Sequence, residues 1–289
     1  MSPGGGEQIC VDAIRRMEQC PDARLRSLMA GVIRHLHDFV REYRVSEAEW
    51  SAAIRFLTRT GQICSDARQE FILLSDILGV SMAVDAINHP AEGAVTESTV
   101  LGPFYSGEQP ELEAGASILR QEEPGEMLTL KGVISSEKGF PLAGAKVEVW
   151  QTSANGLYNV QDIEQPPGHM RGTFRADEAG RYCLRTVTPV SYPIPDDGPV
   201  GQLLGALGRH PFRPAHIHFM ISAANHRRLV THLFIAGDHY LHSDAVFGVK
   251  PSLVVTPVGE GDDRSVCYDF VLALAAGLSL PQAPPPSLR

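Results

Sequence analysis

No apolar run in the 289-residue chain approaches the roughly 18 to 20 residues that a membrane-spanning helix needs. No CxxC pair occurs among the five cysteines Cys10, Cys20, Cys64, Cys183 and Cys267, which are odd in number and widely spread. A disulfide framework and a zinc ribbon are thereby disfavoured, and free thiols in a reducing cytoplasm are expected. The opening MSPGGGEQICVDAIRR has no positive segment followed by an apolar one, so no secretory signal is expected. Basic residues are few and scattered: 25 Lys and Arg against 34 Asp and Glu leave a net charge of −9. Without a basic face, nucleic acid is not an expected partner, and neither is a membrane. What the chain does have is 43% apolar residues, enough for a packed core in one large domain or two smaller ones.

The pattern of those apolar residues changes near residue 95. Before it they recur in steps of three and four: Leu25, Leu28, Val32, Leu36, Phe39 and Tyr43 form one stripe. Ser46 and Glu49 form a capping box, and Trp50, Ile54 and Leu57 continue the helix it starts. A further helix is predicted over about 67–87, ending before His89-Pro90. These stripes are expected to be chiefly core, with part of them free to pack on a second subunit. After residue 95 the period becomes two. Strands are predicted around Leu128 to Val133, Lys146 to Trp150, Tyr182 to Val187, His216 to Ile221 and Leu229 to Ile235. Turn signals at 137–139, 154–156, 178–180 and 237–238 separate them. The expected class is α+β: a helical region over 1–95, a β-sandwich over 96–278 and a proline-rich tail over 279–289.

The densest polar cluster is RPAHIHF, residues 213–219. On a strand His216 and His218 point to one face, where two imidazoles can converge on a metal. Taken alone, the pair fits two surface histidines equally well. A third histidine from His232, His239 or His242 would complete a zinc or iron(II) site. Two tyrosines in turn-rich segments, Tyr158 after Asn155-Gly156 and Tyr192 before Pro193, offer a different donor set. A trivalent cation drives a phenol, with a pKa of about 10, to phenolate, and two phenolates suit iron(III). Strand-end packing is the common alternative role for a tyrosine.

Four segments together are more specific: TESTVLGPFY (96–105), PLAGAKVEVWQTSANGLYNVQ (141–161), GRYCLRTVTPVSYPIPDDGPVG (180–201) and RPAHIHFMIS (213–222). They resemble the intradiol ring-cleavage dioxygenases, and the resemblance runs through nearly the whole chain. It implies Fe(III) held by Tyr158, Tyr192, His216 and His218, an aromatic 1,2-diol and O2 as substrates, and a mixed-topology β-sandwich carrying the iron. It implies a homodimer through the N-terminal helices, with a lipid held between them in some members. It implies that Tyr192 gives way to the diol and that Arg213 is the cation beside the reacting ring. His232 stands where the catechol-cleaving branch usually carries glutamine. It is a candidate catalytic residue, as a hydrogen-bond partner of substrate or oxygen, or a polar packing residue.

Leu73 and Asp76 match positions lining the pocket in the hydroxyquinol-cleaving branch. Val100, Leu101, Gly102, Pro103 and Phe104 resemble the opposite wall, with Ile194, Pro195 and Val246 beside it. A carboxylate at Asp76 can accept a hydrogen bond from a third ring hydroxyl, which favours benzene-1,2,4-triol over catechol. The product implied is 3-hydroxy-cis,cis-muconate, the enol form of maleylacetate. The alternatives are catechol cleavage to cis,cis-muconate and, from a different class, a non-enzymatic β-sandwich binding module.

Overall fold

A computed structural model of the chain describes residues 5–65, 68–90, 93–107 and 109–275, so the proline-rich tail lies outside it. The chain divides into two compact units, Met1–Gln62 and Ile63–Arg289. The first holds three helices: α1 (Gly5–Arg15), α2 (Ala23–Tyr43) and α3 (Glu47–Gln62). Asp22 caps α2 by accepting from the Leu25 N–H at 2.9 Å, and Arg44 closes it in the left-handed conformation. The capping box is formed: the Ser46 N–H donates to Glu49 at 2.8 Å, and the Glu49 N–H donates back to the Ser46 hydroxyl at 3.3 Å. The stripe on α2 is not core. Leu25, Leu28, Val32, Leu36, Phe39 and Tyr43 are 47% to 66% exposed, because α1 packs against α2 but no layer of this unit covers the stripe.

The second unit begins with α4 (Glu70–Ile77) and α5 (Val80–Asn88). The single helix expected over about 67–87 is therefore two, and Ala67 lies outside the described residues. The break is Gly79, at φ +73°, which ends α4 and caps α5. Eleven strands follow among the described residues: β1 (Met127–Ser136), β2 (Lys146–Trp150), β3 (Arg171–Arg175), β4 (Arg181–Val187), β5 (Tyr192–Pro193), β6 (Phe212–Arg213), β7 (His216–Ser222), β8 (Leu229–Ile235), β9 (Val254–Val255), β10 (Ser265–Cys267) and β11 (Phe270–Leu272). A short helix, α6 (Pro199–Ala206), lies between β5 and β6. Its Val200 N–H donates at 3.1 Å to Glu70, buried on α4, which joins the two helices.

One sheet has the order β3-β2-β7-β8-β9; the other is built on β1, with β4 on one side and β10 and β11 on the other. The sheets are mixed: β10 and β11 run parallel to β1 and β9 parallel to β8, while the remaining pairings are antiparallel. Strand alternation then sorts the side chains. Val147 and Val149 of β2, Ile217, Phe219 and Ile221 of β7, and Leu233 and Ile235 of β8 enter the core between the sheets. There they meet Leu128, Leu130 and Ile134 of β1 and Leu184 of β4. The intervening residues, Trp150, His216, His218, Met220, His232 and Phe234, are sent to the opposite face of the five-stranded sheet. Among the described residues no helix is long and apolar enough to cross a membrane, and all five cysteines are free.

Candidate metal centre

The outer face of β7 carries His216 and His218, and its neighbours box them in. Register places Trp150 and His232 on either side of His218, and Phe234 beside His216. Trp150 stacks on the His218 ring at 4.7 Å, and the His232 ring meets it edge-on at 4.1 Å. Two loops bring the tyrosines over this face. Tyr158 lies in the turn after β2, where its N–H donates to Gln161 at 3.1 Å. Tyr192 opens β5 and pairs in register with Arg213 on β6.

The four donor atoms converge. The Tyr158 hydroxyl is 3.0 Å from the Tyr192 hydroxyl and 2.8 Å from His218 Nε2. His216 Nε2 is 3.2 Å from His218 Nε2 and 3.5 Å from the Tyr192 hydroxyl. An ion bound at about 2 Å, the length of transition-metal bonds to imidazole and oxygen, needs donors spaced about 3 Å apart. The cluster meets that requirement without rearrangement. All four side chains are buried.

Hydrogen bonding selects the donor nitrogens. His216 Nδ1 lies 2.6 Å from the Pro214 carbonyl, which can only accept, so Nδ1 carries the proton and Nε2 the lone pair. His218 Nδ1 is taken by His232 Nε2 at 2.7 Å, which leaves its Nε2 for the cluster. Burial, reinforced by Arg213, pushes His216 down to about 3, and burial holds His218 far below the usual imidazole range. Both imidazoles are neutral and fit to ligate. Burial raises both phenols, Tyr158 further than Tyr192, so each stays protonated until a cation stabilises the phenolate.

Among the described residues, His216, His218 and His232 form the one group of three His, Cys, Asp or Glu side chains near enough to share an ion. The three-histidine arrangement is not the better one. His232 directs Nε2 at His218 and Nδ1 at the Thr99 hydroxyl, 2.9 Å away, so both its nitrogens are engaged behind the ligand. His239 and His242 are exposed, His239 lying against Tyr240.

Arg213 is buried beside the cluster, with Nη1 3.1 Å from His216 Nε2. Its Nε and Nη2 donate to Asp244 at 3.1 and 3.3 Å, and Asp244 also accepts the Val246 and Gly248 N–H groups. Burial alone would neutralise both partners; their mutual attraction outweighs it, holding Asp244 below and Arg213 above their ordinary values.

A pocket reaches this cluster. Tyr192, His218 and Arg213 form its floor, and Leu73, Asp76, Val100, Gly102, Pro103, Phe104, Ile194, Pro195 and Val246 form its walls. Leu101 faces an adjoining cleft that shares Asp76, Val100 and Gly102. Gly102, at φ +76°, lies so close that a Cβ there would stand 3.3 Å from the His218 ring. Tyr158 lies beneath Phe104, stacked at 4.7 Å, and His232 is not among the lining side chains. Asp76, 5% exposed, is the pocket's one carboxyl, and burial raises it despite a hydrogen bond with Ser81. Asp244 and Thr99 carry no local sequence signal: their partners stand 31 and 133 residues away. Trp150 was visible as the end of an alternating strand, but its stacking on His218 depends on sheet register.

The chain's relatives share this architecture. Residues 22–96 match the family model described as "Catechol dioxygenase N terminus", and residues 100–274 match the one described as "Dioxygenase". Over 281 residues, 92% of this chain and 95% of the relative, the sequence is 52% identical to hydroxyquinol 1,2-dioxygenase of Rhizobium sp. (strain MTP-10005). The structure of hydroxyquinol 1,2-dioxygenase from Pseudomonas putida DLL-E4 superposes with a TM-score of 0.88 at 45% identity, covering 93% of this chain and 99% of that one. Catechol 1,2-dioxygenase from Acinetobacter sp. ADP1 gives a TM-score of 0.80 at 30% identity, covering 96% of each chain. Shared sequence and fold over this length make the chain a member of the intradiol catechol dioxygenase family.

Proposed function

We propose that the chain is a hydroxyquinol 1,2-dioxygenase: it opens benzene-1,2,4-triol between its adjacent hydroxyl-bearing carbons with O2, giving 3-hydroxy-cis,cis-muconate. The observation that carries this reading is the pocket that reaches the donor cluster at Tyr192 and His218 and has a single carboxyl, Asp76, in an otherwise largely apolar wall. The higher identity to hydroxyquinol-named than to catechol-named relatives supports the same substrate. Tyr158, Tyr192, His216 and His218 would hold Fe(III), a donor set in which two phenolates offset most of the charge. Bound there, iron supplies a Lewis acid that draws electron density from the adjacent ring oxygens.

The chain's own residues do the rest. Of the two phenols, Tyr192 lines the pocket, so its Oη is the base placed to take a proton from the incoming diol. Arg213, held by Asp244, presents a fixed cation to the ring as negative charge builds on it, in a site that excludes water. Phe104, Pro103 and Val100 cover one side of the ring and Leu73 and Val246 the other walls. Asp76 accepts from the third hydroxyl, which fixes the ring's orientation. His232 orients His218 from behind. The exposed apolar stripe of α2 supports a homodimer through the N-terminal helices, with a lipid in that interface, and free thiols support a cytoplasmic setting.

The test is turnover of purified, iron-loaded protein with benzene-1,2,4-triol under 18O2. The expected product is a ring-opened dicarboxylic acid carrying both labelled atoms, with one O2 consumed per triol. An aldehyde-containing product, cleaved beside the diol instead of between its carbons, would overturn the reading.

A further inference from the structure

The pocket chemistry leaves one buried cation without a role. Arg171 opens β3, paired in register with Trp150, and is 1% exposed. A guanidinium taken out of water costs several kcal/mol unless an anion stands near it. Arg213 has Asp244. Arg171 has no carboxylate partner among the described residues. Its Nε donates to the side-chain oxygen of Asn159 and its Nη2 donates to the Phe104 carbonyl at 2.8 Å, while its buried Nη1 meets no acceptor. Both acceptors are neutral. The group beside it that becomes anionic on binding a metal is Tyr158: the guanidinium carbon lies 5.9 Å from the centre of the Tyr158 ring. Phe104, whose carbonyl Arg171 holds, stacks on the same ring, and Asn159 follows Tyr158 in the chain.

We propose that Arg171 is a positioning residue that sets the electron-donating strength of Tyr158 toward the metal, acting as the buried counter-cation of that ligand while its two hydrogen bonds fix the ring between Phe104 and the sheet. The inference rests on the tyrosine-ligated iron reading above. A cation held over the ring of a phenolate stabilises its π electrons, so the phenolate gives them up less readily. The effect is large here because no water screens it. Arg213 faces the pocket and acts on both phenols, whereas Arg171 lies over the Tyr158 ring alone and is not among the side chains that line the pocket.

The test is the visible absorption of the iron-loaded full chain, compared among wild type, R171M, R171K and N159D. R171M removes the charge at similar volume. N159D leaves the shape unchanged and gives Arg171 a competing anion. In both, the phenolate-to-iron charge-transfer band is expected to move to longer wavelength, and the Fe(III)/Fe(II) midpoint potential to move negative. R171K, which keeps the charge, is expected to hold the band near its wild-type position even where it melts earlier. A folded, iron-loaded R171M with an unmoved band would overturn the inference. So would R171K shifting as far as R171M. If R171M does not fold, N159D decides in its place, an unmoved band again overturning it. A wild-type protein that binds iron and shows no visible band removes the tyrosine ligands themselves, an outcome distinct from a band that fails to respond to Arg171.

Discussion

Asp76 is a carboxyl in a wall that includes Leu73, Val100, Phe104, Ile194 and Val246. Such a group is costly to bury, and beyond its hydrogen bond with Ser81 the proposed substrate's third hydroxyl would give it a second donor. Asp76→Ala is expected to lower the ratio of kcat/KM for hydroxyquinol over catechol by about tenfold, since a lost polar contact in a dry pocket is worth about 1 to 3 kcal/mol. Steady-state kinetics with both diols checks it; an unchanged ratio would show that Asp76 takes no part in selection. Asp244 poses the opposite case, a carboxylate held ionised by a buried arginine. Asp244→Asn leaves Arg213 buried without its counter-ion and is expected to cost about 3 to 5 kcal/mol in denaturant unfolding. Because the folded-state value of Asp244 is depressed, its contribution is present above the ordinary carboxylate range and is lost as pH falls through the depressed value. The gap in unfolding free energy between wild type and D244N should therefore narrow on acidification and not on raising the pH. The four donors were legible in the sequence because each lies in a short motif. Asp244 and Thr99 were not, because each is joined to the site by a partner far away in the chain.

At the level of elements, the site follows from a single regularity. Strand β7 has period two, so the residues that fill the sandwich core and those that face the metal alternate along HIHFMIS. That much could be read directly from RPAHIHF. The neighbours of β7 could not: Trp150 and His232 flank His218 only because β2 and β8 pair with β7 in this register. The one helix expected over about 67–87 failed for a local reason. Apolar periodicity runs through the segment, but Gly79 turns left-handed and separates α4, which carries Leu73 and Asp76, from α5. Gly79→Ala is expected to cost about 1 to 2 kcal/mol, the penalty for a side chain in that conformation. Its Cβ would also stand 3.4 Å from the Phe247 ring. A thermal melt checks the loss; a variant as stable as wild type would mean the break does not depend on glycine. The strands β3, β5, β6 and β9 to β11 were missed because they are too short, or too irregular in pattern, to show a period.

For the whole molecule, the switch from helical to strand periodicity near residue 95 announced the α+β class, and the structure has that class. The α2 stripe, expected to be chiefly core with part of it free to pack on a second subunit, is exposed throughout, because periodicity reports that a face is apolar, not what covers it. On the proposed function, Tyr158, Tyr192, His216 and His218 together hold one ferric ion that a 1,2-diol then binds. The donor atoms lie 2.8 to 3.5 Å apart and two are phenolic, so Fe(III) bound through them would colour the protein. The most direct measurement is the visible spectrum of the iron-loaded protein, titrated anaerobically with hydroxyquinol and, separately, with catechol. A broad phenolate-to-iron band is predicted, moving to longer wavelength on adding either diol and saturating at lower concentration with hydroxyquinol. An iron-replete protein that stays colourless would rule out the two tyrosine ligands and return the metal to histidines alone.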